Sequence, residues 1–212
     1  FVNWNSGLVW SNDLYGAKMR LGMDKLSIEG LVGVSARSGL YDFDISRPDY
    51  DTDTNRHTYA VRAQYELSPE LAPFISYFLQ RDHNDDRSVL INTGPGPPIV
   101  PVEYHYNSNY LSFGSNGSIG NQFLYSLEMV HESGDGLSTP FINRAGTAWI
   151  QTEEHIDAWA GVLNMVYMAR DASLSRLECT LAFGTGDGDR LASASTLGGN
   201  QTGSGDRAFN SL

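Results

Sequence analysis

The connections between the β-like segments alternate in length along the chain, and this alternation constrains the fold more than any other feature. Segments of about ten residues with apolar residues at every second position are joined by a tight turn, then by a long polar loop. Tight turns are predicted near Asp24-Lys25, Ser68-Pro69-Glu70, Asn116-Gly117-Ser118 and Asp171-Ala172-Ser173. Long loops are predicted at 39–56, 82–104 and 133–154 and from 185 onward. Short turns on one side and long loops on the other are typical of bacterial outer-membrane β-barrels.

The period of two predicts about eight antiparallel strands in four hairpins. The predicted strands cover 15–23, 26–36, 57–67, 71–80, 104–113, 119–132, 155–168 and 174–183. Each is close to the length that a β-strand needs to cross a bilayer at a tilt. The first ten residues fit either a loop or a strand. We expect a single all-β domain over residues 1–212. We also expect this chain to be a fragment of a longer one, truncated at both ends.

The turn positions predict which residues lie opposite each other. A first turn centred on Asp24-Lys25 places Arg20 opposite Glu29, a favourable pair of charges. The second hairpin is predicted to pair Val61 with Tyr77, Ala63 with Ile75 and Arg62 with Ser76. The pattern leaves the facing of the strand at 71–80 open, because Phe74 and Phe78 share the otherwise polar parity.

The alternation itself does not say which face meets the solvent, since a soluble barrel and a membrane barrel share it. Loop lengths that sort by side, Tyr and Trp near strand ends and charges concentrated in the loops favour the membrane barrel. The polar parity then lines a lumen. Its predicted pore-lining residues are Lys18, Arg20, Glu29, Arg37, Arg62, Gln64, Glu66, Glu128, Arg176 and Glu178, with Glu132 on the same parity. We interpret Arg20 and Glu29 as a wall ion pair and Arg62 as the selectivity candidate.

Composition and motifs exclude several other classes of function. A formal net charge of -11 argues against nucleic-acid binding. The single cysteine, Cys179, rules out an intramolecular disulfide, and no apolar run of about 18 residues predicts a transmembrane helix. The five histidines lack zinc-like spacing, and no catalytic motif occurs, so no enzyme and no cofactor are predicted. Asp187 and Asp189 could belong to a calcium site, although a solvated acidic loop is the more ordinary interpretation.

The last third of the chain carries a family resemblance. The runs 156–160 and 177–183 precede Gly184-Thr185-Gly186-Asp187-Gly188-Asp189-Arg190, and the chain closes on Asp206-Arg207-Ala208-Phe209-Asn210-Ser211-Leu212. Together with the strand start at 56–62, these stretches resemble the alginate-export family of outer-membrane β-barrels. The resemblance implies a barrel of about 18 strands, of which this chain supplies about half, and transport of an anionic polysaccharide or another solute. The expected inward residues are five basic and five acidic, whereas an acidic polymer calls for a basic lumen.

We therefore expect a porin-like channel that passes small solutes or polysaccharide across the outer membrane of a Gram-negative-type bacterium, in contact with its lipid. Three alternatives remain open. The first is a structural or adhesive surface barrel with a plugged lumen. The second is a soluble β-barrel or sandwich that binds a ligand and has its apolar parity inside. The third is an outer-membrane enzyme whose acidic groups lie in the loops.

Overall fold

The computed structural model of the chain describes residues 2–12, 14–35, 56–83, 88–92, 99–103, 106–137, 141–142, 149–169, 175–186 and 205–209. Regular structure within these ranges consists of β-strands. They are β1 (Val2–Trp4), β2 (Trp10–Asn12), β3 (Leu14–Met23), β4 (Leu26–Ser35), β5 (Arg56–Tyr65), β6 (Ala72–Asp82), β7 (Ser88–Asn92), β8 (Ile99–Glu103), β9 (Tyr106–Ile119), β10 (Phe123–Leu137), β11 (Phe141–Ile142), β12 (Trp149–Ile150), β13 (Glu153–Met168) and β14 (Arg176–Gly184).

Eight of these strands form one antiparallel sheet in the order β3, β4, β5, β6, β9, β10, β13, β14. Strands that are neighbours in this sheet also follow one another along the chain, apart from short hairpins inserted between them. The predicted all-β, up-and-down antiparallel architecture is therefore confirmed. Over the described residues the sheet does not close on itself, and β3 and β14 form its two edges.

The remaining strands form three small hairpins. β7 pairs with β8, and β11 pairs with β12, inside two of the segments that the sequence predicts as long loops. β1 pairs with β2 near the start of the chain, where the sequence left loop and strand open. Two of the long connections at one end of the sheet thus contain regular structure of their own, and the N-terminal hairpin (residues 2–12) is a separate element.

The predicted registers of the first two hairpins are confirmed. Arg20 lies opposite Glu29, and Asp24 adopts the left-handed conformation, with a φ of 48°, in the turn between β3 and β4. The second hairpin pairs Val61 with Tyr77, Ala63 with Ile75 and Arg62 with Ser76. Because side chains alternate strictly along a strand, agreement in register also fixes which side chains share a face.

The predicted turn at Asn116-Gly117-Ser118 is wrong. All three residues lie inside β9, which continues to Ile119, and the turn is formed by residues 120–122 with Gly120 at a φ of +60°. Gly117 has a different role, because a Cβ at this position would clash with the backbone carbonyl oxygen of Glu70. The glycine therefore permits a close approach of the neighbouring turn, where Ser118 N donates to Pro69 O at 3.2 Å. The fourth predicted turn, 171–173, lies outside the described residues.

One face of the sheet, which we call the apolar face, carries a continuous apolar surface. A single register row crosses all eight strands and consists of Leu21, Ile28, Ala63, Ile75, Phe113, Met129, Gly161 and Phe183. Its side chains are largely accessible: Ile75, on a central strand, is 55% exposed. The rows beside it add further exposed large residues such as Met19, Leu127 and Leu181.

The opposite face, which we call the polar face, is buried on the inner strands of the sheet, whereas β3 and β14 are exposed on both faces. Its fully covered side chains include Thr58, Ser76, Gln80, Ser112, Glu128 and Glu132. The N-terminal hairpin lies on this face, with Trp4 and Val9 packed among Leu31, Ala60, Phe78, Tyr110 and Val130. Phe74 and Phe78 are both buried here, which settles the facing of β6. The hydrophobic core thus lies between the sheet's polar face and the N-terminal hairpin.

Candidate functional site

The centre of the polar face brings together three polar side chains from three strands. Arg62 on β5 lies directly opposite Ser76 on β6. Glu128 on β10 lies opposite Gly114 of β9, and Gly114 in turn lies opposite Phe74 of β6. Arg62 and Glu128 therefore occupy adjacent rows of the same face. The alternation of side chains along each strand points all three toward the N-terminal hairpin.

The turn of the N-terminal hairpin fills the space between these side chains. Asn5 Nδ2 donates to Ser76 Oγ at 2.6 Å and to Glu128 Oε1 at 2.8 Å. The backbone N–H and the hydroxyl of Ser6 both donate to Glu128 Oε2, at 3.2 and 2.5 Å. Both carboxylate oxygens of Glu128 thus accept hydrogen bonds, which offset part of the cost of burying a carboxylate.

Arg62 is held from three sides. One guanidinium nitrogen donates to Asn5 Oδ1 at 3.2 Å, and the other donates to Gln64 Oε1 at 2.8 Å. The guanidinium group also lies over the ring of Phe74, 4.1 Å from its centroid, in a cation–π contact. These contacts fix the orientation of the guanidinium group, so that it presents one donor toward the hairpin.

A second polar cluster lies further along the same face. Glu132 is fully buried, and its Oε1 accepts hydrogen bonds from the hydroxyls of Tyr106 and Tyr110 at 2.5 and 2.9 Å. The ring of Tyr110 contacts Phe209 edge to face, with centroids 6.0 Å apart. The segment that carries Phe209 joins the part of β13 that β14 does not reach, through a bridge between Ile156 and Asp206. Two distant parts of the chain therefore meet over Tyr110.

Charges are distributed unevenly across the polar face. Lys18, Arg20, Arg56 and Arg62 lie on β3 and β5, whereas Glu128, Glu132 and Glu154 lie on β10 and β13. Glu29 lies among the basic residues and binds Lys18 Nζ at 2.6 Å, while Arg20 Nε donates to Ser27 Oγ at 3.0 Å. The predicted opposition of Arg20 and Glu29 is thus correct in register, but the ion pair is formed by Lys18.

The other predicted site residues fall in three groups. Arg176 and Glu178 lie on β14 and form an exposed ion pair with each other. Glu66 lies just beyond the end of β5, where its backbone N–H donates to Lys25 O at 2.8 Å. Arg37, Asp187 and Asp189 lie outside the described residues, and so does the predicted calcium site. Among the described residues no group of three or more His, Cys, Asp or Glu is arranged to hold a metal ion.

The sequence did not single out Asn5 and Ser6. Asn5-Ser6-Gly7 is a recognisable turn signal, and Asn5 and Gly7 adopt left-handed conformations with φ of 55° and 83°. That signal predicts a turn but not its target, because the groups that Asn5 binds lie 71 and 123 positions further along the chain.

In the described part of the chain no helix is long and apolar enough to cross a membrane. No protein-family model matches this sequence, and no curated protein matches it. The resemblance to the alginate-export family therefore stays a prediction.

Proposed function

We propose that this sheet forms part of the wall of a transmembrane β-barrel channel in the outer membrane of a Gram-negative-type bacterium. The channel passes small polar solutes or a polysaccharide through a polar lumen. One observation carries the proposal: the register row from Leu21 to Phe183 is apolar across all eight strands and largely exposed, while the inner strands bury Glu128 and Glu132 on the opposite face.

Burial of apolar surface is the main favourable term when a protein folds in water. A soluble ligand-binding β-barrel would therefore enclose the row that contains Leu21, Ile75 and Phe113, not display it. Lipid chains are as apolar as these side chains, so a bilayer removes the cost of the exposed row. The reversed arrangement of the two faces is what a lipid-facing exterior and a polar interior require.

The connections support an orientation in the membrane. Short turns join β3 to β4, β5 to β6 and β9 to β10, all at the same end of the sheet. The connections at the opposite end are long and contain the β7–β8 and β11–β12 hairpins. In outer-membrane barrels the short turns face the periplasm and the long loops face outward. The tight turns would then lie on the periplasmic side.

A bilayer also requires that the two edges of the sheet are paired, because unpaired backbone groups cost several kcal/mol each in the hydrocarbon region. In the proposed barrel, further strands lie beside β3 and β14. The family resemblance suggests about 18 strands in total, within the range of bacterial barrels. The solute is left open by the mixed charges of the polar face.

A fluorophore on one thiol, placed in turn at two neighbouring positions, can test the facing of the sheet. Cys179 is the only cysteine of the chain, it is exposed, and it lies opposite Met165 on the apolar face. A fluorophore on Cys179 in reconstituted protein should be quenched by nitroxide groups on lipid chains and not by iodide in the water. The matched control is Cys179→Ser with Thr180→Cys, which moves the thiol one residue along β14 and onto the polar face.

We expect the control to give the opposite result, with quenching by iodide and not by lipid. Equal quenching at both positions, or a protein that stays monodisperse in water without detergent, would refute the membrane proposal.

A barrel with a plugged lumen is the second candidate, and the N-terminal hairpin on the polar face favours it specifically. Conductance in planar bilayers separates the two. A channel gives ohmic current steps with the unmodified chain, whereas a plugged structural barrel gives none.

A further inference from the structure

The hydrogen-bonding groups that Asn5 and Ser6 occupy have the chemistry of a ligand site. Glu128 contributes two carboxylate oxygens, Ser76 contributes a hydroxyl, and Arg62 contributes one guanidinium donor. The groups that fill them are a primary amide, a hydroxyl and a backbone N–H. A hydroxyl and an amide are also the functional groups of a sugar and of an N-acetylated sugar.

The spacing of these groups suits a polyhydroxylated molecule. The two oxygens of Glu128 accept from neighbouring donors, Asn5 Nδ2 on Oε1 and Ser6 Oγ on Oε2, at 2.8 and 2.5 Å. Two adjacent hydroxyls of a sugar ring can make the same pair of bonds to one carboxylate. Arg62 donates to Asn5 Oδ1 on the far side, at 3.2 Å, which supplies the donor that a ring or carbonyl oxygen accepts.

The charges of the site select against ionic solutes. The carboxylate of Glu128 repels an anionic solute, and the guanidinium group of Arg62 repels a cationic one. A neutral solute can form hydrogen bonds with both groups without repulsion. Arg62 is fixed by Gln64 and by the ring of Phe74, so it cannot turn away to accommodate a cation. Phe78 adds an apolar surface beside the site, which Trp4 covers with ring centroids 6.4 Å apart.

From this arrangement we propose that Arg62, Ser76 and Glu128 form a binding site for neutral polyhydroxylated solutes, and that the turn of the N-terminal hairpin occupies this site as an internal mimic of the solute. The inference rests on the proposed channel, in which these three residues face the lumen. A solute that binds here competes with Asn5 and Ser6 for the same groups.

The test uses the full chain in planar bilayers, with maltotriose as the neutral probe and glucuronate and glucosamine as the charged probes. The variant Asn5→Gly with Ser6→Ala removes the competing amide and hydroxyl and leaves only the backbone N–H of residue 6. Gly at position 5 keeps the left-handed turn that an Ala would strain. Because one intramolecular hydrogen bond is worth about 1 kcal/mol, the loss of a single competing bond should strengthen current block by maltotriose about fivefold, and the loss of several bonds should strengthen it by at least about tenfold.

Adding Glu128→Gln to that variant should reverse the gain, because the amide offers one acceptor where the carboxylate offers two. Ser76→Ala removes one hydroxyl from the same site and is the more conservative substitution. It should weaken current block by maltotriose by about fivefold at most. A heat-modifiable band on a gel confirms that each variant is folded.

The possible failures are distinguishable. No ion current from any folded variant would refute the channel itself. Ion current with equal block by maltotriose in all variants, or block by glucuronate as strong as by maltotriose, would overturn the site and leave the channel standing.

Discussion

The two faces of the same eight-stranded sheet follow opposite rules of burial. On the apolar face, Ile75 and Phe113 stand side by side on neighbouring strands and are about half exposed. On the polar face, Ser76 and Ser112 are also neighbours, one residue along the same two strands, and both are buried. A shift of one residue along a strand therefore moves a side chain from an accessible apolar surface to a covered polar one.

This contrast shows that alternation alone carries no information about which side is inside. The decisive element is the N-terminal hairpin, which brings its own apolar residues, Trp4 and Val9, to the polar face. They pack on the few large residues there, chiefly Phe78 and Tyr110, around a polar turn. The polar face thus gains a small core of its own, while the apolar face keeps none within the described residues.

We expect the largest loss of stability from a substitution in the small core on the polar face. Trp4→Ala empties the space between Lys18 and Phe78, and truncation of a buried Trp typically costs about 3–5 kcal/mol. We expect a lower free energy of unfolding in detergent and a larger single-channel conductance, because the hairpin loses its anchor. Trp4→Phe is the control, since the indole N–H has no hydrogen-bond partner among the described residues. Unchanged conductance and stability in Trp4→Ala would contradict this role.

A charge on the apolar face should have the next largest effect. Ile75→Arg places a cation in the row that is apolar across all strands, and this costs about 2–4 kcal/mol at the bilayer midplane. The loss is measured as the free energy of unfolding in lipid vesicles, with Ile75→Val as the control for lost packing. A change below about 0.5 kcal/mol, as at an ordinary water-exposed position, would show that the apolar face does not meet lipid.

Two glycines in one register row allow the packing at the covered centre of the polar face to be compared with the packing at its edge. Gly114 on β9 would clash, as Ala, with the carbonyl oxygen of Leu127 and the ring of Phe74, whereas a Cβ on Gly22 of β3 meets nothing within 4 Å. We expect Gly114→Ala to destabilise by about 1–3 kcal/mol. Gly22→Ala should stabilise by about 0.5 kcal/mol because Ala loses less backbone entropy. Equal effects in thermal unfolding would mean that the centre is no more tightly packed than the edge.

We expect the smallest effect from a substitution in the short turns, which belong to neither face. The Ser68 hydroxyl donates to the Glu70 carboxylate and lowers the pKa of that carboxyl below its usual value. A lowered pKa in the folded state stabilises above the unfolded pKa, and this contribution is lost as the pH falls through the folded pKa. Ser68→Ala should raise the pKa of Glu70 in an NMR titration. Ser118→Ala, which removes a bond to Pro69 O at the same turn, should leave that pKa in place.

Sequence reasoning succeeded where the determinants are local. The strand at 57–67 and its partner were predicted in register, because a period of two and a tight turn at Ser68-Pro69-Glu70 fix every pair between them. For β13 and β14 the sequence predicts a shared face without a register, and the shared face of Met165 with Cys179 and of Leu163 with Leu181 is confirmed. These pairings depend only on residues within one hairpin.

The sequence predictions fail where contacts with a distant part of the chain determine the local structure. Asn116-Gly117 is a strong local turn signal, but the approach of Glu70 from another hairpin places both residues in a strand. Phe78 looked ambiguous because its partners, Trp4 and Tyr110, come from other elements. Arg62 was correctly placed opposite Ser76, yet its bond to Asn5 could not be found from pattern, since nothing local links residues 5 and 62.

The position of the N-terminal hairpin has a consequence for the order in which the molecule assembles. Asn5 binds groups that are made 71 and 123 residues later, and contacts of such long sequence separation form slowly. The hairpin that precedes the sheet in the sequence is therefore the part that docks last, and the growing sheet has an uncovered, hydrated polar side until β10 is in place. In pulse-labelling hydrogen exchange during refolding, we expect the amide of Ser6 to become protected only after the amides of β9 and β10.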